Sequence, residues 1–212
     1  MKRAAPGKIF AIDFEGNSRE GILEFGVIAL EGDKLVDPVE SFCRCERLEG
    51  LFLSRKKINP LHTASAPAIG AFFPLFQSMR RSAVLAAHGA ATEDFLLRQT
   101  WPSPGFVPNW GDPGRPVITW GPWLDSLQLA RRFWPHLPAH GLRDVLRALG
   151  LGGEWRELTN RHCSSGRQRP HGALCDAIGC ALLTRECLRF ADGELLQLIR
   201  GCGDTQLQLP MP

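Results

Sequence analysis

FAIDFEG, residues 10–16, is an apolar stretch near the start of the chain that carries two carboxylates, Asp13 and Glu15. Its apolar residues predict a buried strand, and side chains two positions apart on a strand lie on the same face, about 7 Å from each other. Like charges this close repel each other and resist transfer out of water. Either the strand ends here and both acids are solvated, or a divalent cation lies between them.

The composition is that of a globular protein. Of 212 residues, 44% are hydrophobic and 22% are charged, which are ordinary values for a chain with a substantial core. We predict one domain over residues 1–204 and a C-terminal tail over 205–212. The sequence has no run of 18 apolar residues and no signal-peptide pattern, so we expect no membrane association.

The cysteines and the net charge restrict the class of protein further. Seven cysteines, an odd number, form no CxxC pair, which argues against a disulfide framework or a zinc site and favours reduced thiols in the cytoplasm. The net charge of +3 permits a nucleic-acid partner without requiring one.

The hydrophobic periodicity predicts a mixed sheet with helices on its faces, because three strand-like segments precede alternating helix and strand patterns. The predicted strands are 8–13, 21–30, 34–45, 83–87 and 117–124. The predicted helices are 67–81, 92–99 with Thr92 as N-cap, 126–133, 142–149, 173–190 and 192–200, and the long predicted loops are 101–123 and 156–170.

Further acidic residues lie at the starts of three predicted helices. The pair Glu93 and Asp94 lies in the first turn of a predicted helix, and His171 precedes Asp176 by five residues at another. Acids are common at helix starts because they accept hydrogen bonds from free N–H groups and interact with the helix dipole. We interpret Asp125 as such a cap. Capping explains each of the other acids singly, but not the order in which they occur.

That order resembles the motifs of the DEDDh 3′–5′ exonucleases of the DnaQ-like superfamily. The matching segments are Asp13-Phe14-Glu15, the turn His88-Gly89-Ala90 with Glu93 and Asp94, the run from Asp125 to Arg131, and His171 with Asp176. The resemblance covers almost the whole chain. It implies an RNase H-like α/β fold with a mixed five-stranded sheet flanked by helices.

The resemblance also implies an activity: metal-dependent release of nucleoside 5′-monophosphates from nucleic-acid 3′ ends. The carboxylates of Asp13, Glu15, Asp176 and the second motif would hold two Mg²⁺ or Mn²⁺ ions, which prefer hard oxygen ligands. His171 would be the general base. Some relatives have a tyrosine in place of this histidine. Only the histidine form is available here, because the chain contains no tyrosine.

The second motif leaves two candidate ligands. Glu93 lies five residues after His88 and places Leu96 and Leu97 on the apolar face beside it, whereas Asp94 offers the customary side chain six residues after His88. The pattern favours Glu93 and leaves Asp94 open. Gly89 replaces the customary Asn, so one polar contact is missing.

Substrate contacts are expected around these motifs. The substrate would be the 3′ end of single-stranded DNA or RNA, and Gly16 and Asn17 would approach its terminal nucleotide. Arg167 and Arg169 either contact phosphates or belong to a solvated loop. His88 is a further candidate contact, although a turn or core position suits it better. The tryptophans of 101–123 suit packing better than base stacking.

Two other hypotheses stay open. The altered second motif fits a nucleic-acid-binding adaptor of weak or no catalytic activity, and the fold also fits an endonuclease of the RNase H type. Within the tail, residues 206–209 (QLQL) resemble the start of the motif by which bacterial replication proteins bind the sliding clamp, although Pro210 replaces its apolar end. A frayed polar tail is the simpler interpretation.

Overall fold

The structure is a computed structural model that describes residues 7–45, 58, 60–112, 114–169, 171–191, 194, 195, 197–199 and 202. The predicted tail, with the segment that resembles a clamp-binding motif, lies outside these residues. So does part of the predicted helix 192–200, of which residues 195 and 197–199 are helical. Within the described part of the chain, no helix is long and apolar enough to cross a membrane.

Five strands form one mixed sheet in the order β3-β2-β1-β4-β5. Their bounds are Lys8–Asn17 (β1), Gly21–Glu31 (β2), Lys34–Phe42 (β3), Val84–Ala87 (β4) and Trp123–Asp125 (β5). The first three strands pair antiparallel, whereas β4 runs parallel to both β1 and β5. The predicted five-stranded mixed sheet is therefore confirmed.

Helices cover both faces of this sheet. They are Pro60–Ala64 (α1), Phe73–Ser82 (α2), Ala91–Thr100 (α3), Ser126–Phe133 (α4), Leu142–Ala148 (α5), Gly152–His162 (α6) and Ala173–Phe190 (α7), with a 3₁₀ turn at Ile69–Phe72. Alternate residues of β1 enter two apolar clusters: Ile9 and Ala11 pack with α4, α5 and α7, whereas Phe10 and Ile12 pack with α2 and α3. The period of two follows from strand geometry.

Several predicted bounds are wrong. Helix α6 occupies the first half of the predicted loop 156–170, because Trp155 and Leu158 pack against the α7 side of the core although the segment begins with two glycines. Helix α3 begins at Ala91 without a side-chain cap, so Thr92 is not its N-cap. The predicted strand 117–124 reduces to three residues, and Val117 instead pairs with Val107 in an isolated bridge.

Candidate active site

The two acids of FAIDFEG lie inside a strand. Strand β1 continues through Asn17, so the interpretation in which it ends before the acids is wrong. Asp13 and Glu15 follow Ile9 and Ala11 at steps of two and therefore face α7. Glu15 is buried and Asp13 is partly buried. Two carboxylates thus lie on the covered face of the central strand.

A glycine on β2 allows α7 to approach these acids. Gly26 pairs with Asp13, and a side chain at Gly26 would collide with the backbone of Ala173 and Leu174. The first turn of α7 therefore rests directly on the sheet. This approach brings Asp176, which lies in that turn, against β1.

Three predicted site residues converge at this point. One ligand atom each from Glu15, His171 and Asp176 lies within 4.8 Å of the other two, and His171 Nδ1 is 4.0 Å from an Asp176 carboxylate oxygen. Glu15 is 2% exposed, whereas the side chain of His171 is 54% exposed. The group therefore extends from the interior to the surface. Its carboxylate oxygens and imidazole nitrogen are donors that suit a divalent cation.

Glu93 adds a further carboxylate next to this group. It is 5% exposed, and burial raises its pKa to about 8, reinforced by the negative charges of Asp125 and Glu15. The backbone of Phe14 interacts with its carboxylate. The strand ends of β1, β4 and β5 lie at one edge because these strands run parallel, which explains why residues so far apart in sequence meet.

Asp94 has different contacts. Its carboxylate accepts a hydrogen bond of 2.9 Å from the indole N–H of Trp123 and pairs with Arg98 at 3.5 Å. The structure thus brings Glu93 to Glu15 and holds Asp94 on Trp123. This geometry favours Glu93 as the acid of the second motif.

Asp125 joins two elements. Its buried carboxylate accepts from the backbone N–H groups of Leu127 at 2.9 Å and Gln128 at 3.3 Å, so the predicted N-cap is confirmed. The same carboxylate accepts from the N–H groups of Gly89 at 3.0 Å and Ala90 at 3.1 Å. Asp125 therefore also fixes the turn that precedes Glu93, which the sequence reasoning missed.

His88 is held within this turn. Its Nδ1 lies 2.9 Å from the Ser126 hydroxyl and its Nε2 lies 3.0 Å from the backbone oxygen of His140. Burial lowers the pKa of His88, which favours the neutral ring. Both ring nitrogens have partners inside the protein, so the turn or core interpretation fits better than contact with substrate.

A buried acid on β2, Glu24, organises the loop before His171. It lies opposite Glu15 in the β1–β2 pairing, and its carboxylate oxygens are 3.9 Å from the guanidinium groups of Arg167 and Arg169. Burial raises the pKa of Glu24 to about 7, although the two arginines oppose the shift. Arg169 also donates a hydrogen bond of 3.2 Å to the backbone oxygen of His171. Sequence reasoning missed Glu24, although an acid within GILEFGVIAL was a signal.

Arg167 is engaged by β3 as well. Its guanidinium lies 3.3 Å from Glu40 and 3.7 Å from the centre of the Phe42 ring, and its side chain is only 13% exposed. Glu40 also accepts from the N–H of Ser164 at 2.7 Å. These contacts give Arg167 a role in anchoring the loop, which disfavours its predicted contact with phosphate.

The residues after Glu15 shape the β1–β2 turn. A side chain at Gly16 would collide with the backbone oxygen of Gly21. Asn17 accepts hydrogen bonds from the N–H groups of Arg19 at 2.8 Å and Glu20 at 2.9 Å. Contact of Gly16 and Asn17 with substrate stays a prediction, because these bonds explain only the turn.

The tryptophans of 101–123 pack largely inward. Trp120 and Trp123 are fully buried, and the indole N–H of Trp120 donates to the backbone oxygen of Trp101 at 2.8 Å. The rings of Trp101 and Trp120 belong to an aromatic group with Phe73 and Phe76 of α2. The packing interpretation is confirmed for Trp120 and Trp123.

Solved nucleases share this architecture, although no protein-family model and no curated protein matches the sequence. Exonuclease X, in complex with 5′ overhanging duplex DNA, has a TM-score of 0.66 and 19% identity over 92% of this chain and 99% of its own. A full-length 3′-exonuclease gives 0.61 and 18%, over 89% of this chain and 62% of its own. A 3′-exonuclease described with a histone mRNA stem-loop gives 0.59 and 17%, over 88% and 84%. The chain therefore has the RNase H-like fold of these 3′-exonucleases, which confirms the fold that the resemblance of its motifs implied.

Proposed function

We propose that this protein is a metal-dependent 3′–5′ exonuclease that removes nucleoside 5′-monophosphates from nucleic-acid 3′ ends. The observation that carries the proposal is the convergence of Glu15, His171 and Asp176 within 4.8 Å, on a fold shared with 3′-exonucleases. The motifs were matched by their order along the sequence, and three residues from them meet in space. Asp13 and Glu93 complete the set of carboxylates.

The donor set fits divalent cations. Glu93 and Glu15 are almost fully buried close to a further acid, Asp125, and burying several like charges is costly unless a cation compensates them. Asp13, Glu15, Glu93 and Asp176 would hold two Mg²⁺ or Mn²⁺ ions. When bound, such ions stabilise the attacking and leaving oxygens of a phosphodiester.

His171 is suited to move a proton. Its side chain is exposed, its backbone lies in the left-handed region with φ of 62°, and its backbone oxygen accepts a hydrogen bond from Arg169. An accessible neutral imidazole accepts a proton from water near neutral pH. Asp176, with an oxygen 4.0 Å from Nδ1, stabilises the imidazolium that results.

The substrate class is nucleic acid with a free 3′ end. Solved neighbours are described with duplex DNA that has a 5′ overhang and with an mRNA stem-loop, so both DNA and RNA need to be tested. Binding to a sliding clamp rests on residues 206–209, outside the described residues, and stays a prediction.

The test is a degradation assay with matched single-stranded and duplex DNA and RNA, each labelled at the 5′ end, in Mg²⁺, Mn²⁺ or EDTA. We expect a metal-dependent ladder that shortens from the 3′ end, together with free mononucleotides. The double variant Asp13→Asn/Glu15→Gln should produce neither. Internal fragments would instead identify an endonuclease, and metal-independent binding without hydrolysis would identify the adaptor.

A further inference from the structure

A basic cavity borders the segment that carries His171 and Asp176. It has a volume of about 370 Å³ and lies between α5, α6, the loop before His171 and the first turn of α7. The charged side chains that line it are Arg143, Arg147, Arg156 and Arg169, and the described lining contains no carboxylate. With a net charge of only +3 on the whole chain, four arginines around one cavity are a local concentration of positive charge.

Arg169 pairs with Glu24, but within the described residues little balances the charge of the other three arginines. One terminal nitrogen of Arg143 is buried without a hydrogen-bond partner among the described residues. Arg147 approaches a carboxylate, that of Asp144, only at 3.9 Å. Arg156 is exposed and forms no ion pair within the described ranges. A buried guanidinium nitrogen without a partner costs free energy, and an anion in the cavity would remove that cost.

Contacts of the described residues connect the cavity to the candidate active site. Arg169, on its wall, donates to the backbone oxygen of His171 and pairs with Glu24. Cys175, also on the wall, precedes Asp176, and its backbone oxygen accepts a hydrogen bond of 2.8 Å from the indole N–H of Trp155. An anion in the cavity would therefore lie beside the helical turn that carries Asp176.

We propose that this arginine-lined cavity binds backbone phosphates of the nucleic-acid strand, away from the phosphodiester that is cleaved. The proposal rests on the proposed function and extends it, because a strand whose 3′ end reaches Asp176 needs its remaining phosphates placed nearby. Guanidinium groups bind phosphate oxygens in a bidentate manner, and such contacts position a strand without reading its sequence. The exposed amide of Asn160 on the same wall is a further hydrogen-bond donor.

A binding experiment that needs no catalysis tests the proposal. Anisotropy of a labelled single-stranded oligonucleotide is measured in EDTA over a range of salt, for wild type and Arg143→Gln/Arg156→Gln. The matched control, Arg115→Gln/Arg132→Gln, removes two exposed arginines elsewhere. Each lost phosphate contact lowers the slope of log K against log salt by about 0.7 for a single strand, so we expect a change of about 1.4 in the cavity variant only. Equal changes in both variants would overturn the proposal.

Kinetics supply a second readout. In the cavity variant, KM for oligonucleotides should rise by a larger factor than kcat falls. The ratio of kcat/KM for an oligonucleotide to kcat/KM for the p-nitrophenyl ester of thymidine 5′-monophosphate should fall on the order of tenfold. If free mononucleotide or inorganic phosphate inhibits the cavity variant less than wild type while the salt slope for oligonucleotide binding is unchanged, the cavity binds free phosphate. That result would overturn the proposal that it binds the strand. If wild type hydrolyses neither substrate but the salt slopes still differ, the cavity stands and the exonuclease proposal fails.

Discussion

Glu93 and Asp94 are adjacent in the first turn of α3, yet their carboxylates have different partners. Glu93 is buried against the Phe14 backbone and near Glu15, whereas Asp94 accepts a hydrogen bond of 2.9 Å from the indole of Trp123. Successive helical residues point about 100° apart, so only one of two neighbours can face the strand. The two acids therefore have separable roles.

The first prediction compares these two acids. Glu93→Gln keeps the shape of the side chain but replaces the carboxylate of a proposed metal ligand with an amide. Metal-dependent hydrolysis should therefore fall by more than about 10- to 100-fold, which is the usual cost of losing a residue that only supports a metal ligand. Asp94→Asn weakens only the contacts with Trp123 and Arg98, and should lower the free energy of unfolding by about 1 kcal/mol while turnover is kept. Turnover and thermal denaturation of both variants are the measurements. Equal, mild losses of turnover would leave the second motif without a ligand and support the adaptor.

The second prediction concerns the stability of the chelated protein against pH. Burial raises the pKa of Glu93 to about 8 and that of Glu24 to about 7. Between the ordinary value near 4.5 and these values, the unfolded chain has lost protons that the folded chain keeps. The free energy of unfolding should therefore fall as the pH rises, by up to about 1.4 kcal/mol for each unit of pKa difference.

Thermal denaturation in EDTA across this window measures the effect. In Glu93→Gln the decline with pH should be smaller, because one of the two carboxyl groups with a raised pKa is absent. The exposed acid Glu157 supplies the control, and Glu157→Gln should leave the decline unchanged. Stability that is flat or rises with pH in the chelated wild type would contradict the prediction.

The sheet was well predicted from the sequence because its strands have clear apolar patterns. Some strands alternate between core-facing apolar residues and other residues, and others are apolar and buried throughout. Helix Ala173–Phe190 and helix Ser126–Phe133 were predicted with the bounds that the structure has. Helix α6 was missed because its helical state depends on tertiary packing: Trp155 and Leu158 reach the core, while two glycines at its start lower its local propensity. Tertiary contacts override local preference here.

The candidate site was predictable to the extent that its motifs are local. The positions of Glu15, His171 and Asp176 follow from motif order, and the apolar face that Leu96 and Leu97 form beside Glu93 already favoured Glu93 over Asp94. Glu24 was not foreseen, because its role depends on its pairing opposite Glu15 and on arginines more than a hundred residues away in sequence. The anchoring contacts of Arg167 were not foreseen for the same reason: no sequence pattern showed that Glu40 and Phe42 engage it.

The third prediction concerns Asp125 as a structural acid. Its carboxylate accepts from four backbone N–H groups in two elements. Asp125→Ala leaves these donors without their acceptor, and should lower the free energy of unfolding by about 2–4 kcal/mol, the combined cost of a lost cap and of buried donors left unpaired.

Chemical denaturation measures this loss. Asp144→Ala, at an exposed acid in the first turn of α5, serves as control and should change the free energy by less than about 1 kcal/mol. If Asp125→Ala keeps wild-type stability but loses turnover, the acid belongs to the catalytic set and its interpretation as a cap is incomplete.

The fourth prediction separates the two roles open to His171, which lies close enough to Glu15 and Asp176 to be a ligand as well as a base. As a base alone, it leaves the carboxylates able to hold the cations. His171→Ala should then keep metal binding, measured by calorimetry with Mn²⁺, and lose about 10²- to 10⁴-fold in turnover. The acidic limb of the pH–rate profile should disappear with it, since that limb reports protonation of the base. His62→Ala, at an imidazole that stacks on Phe42 instead, is the control and should keep both properties. Lost Mn²⁺ binding would make His171 a ligand, and a wild-type rate at neutral pH would remove it from the mechanism.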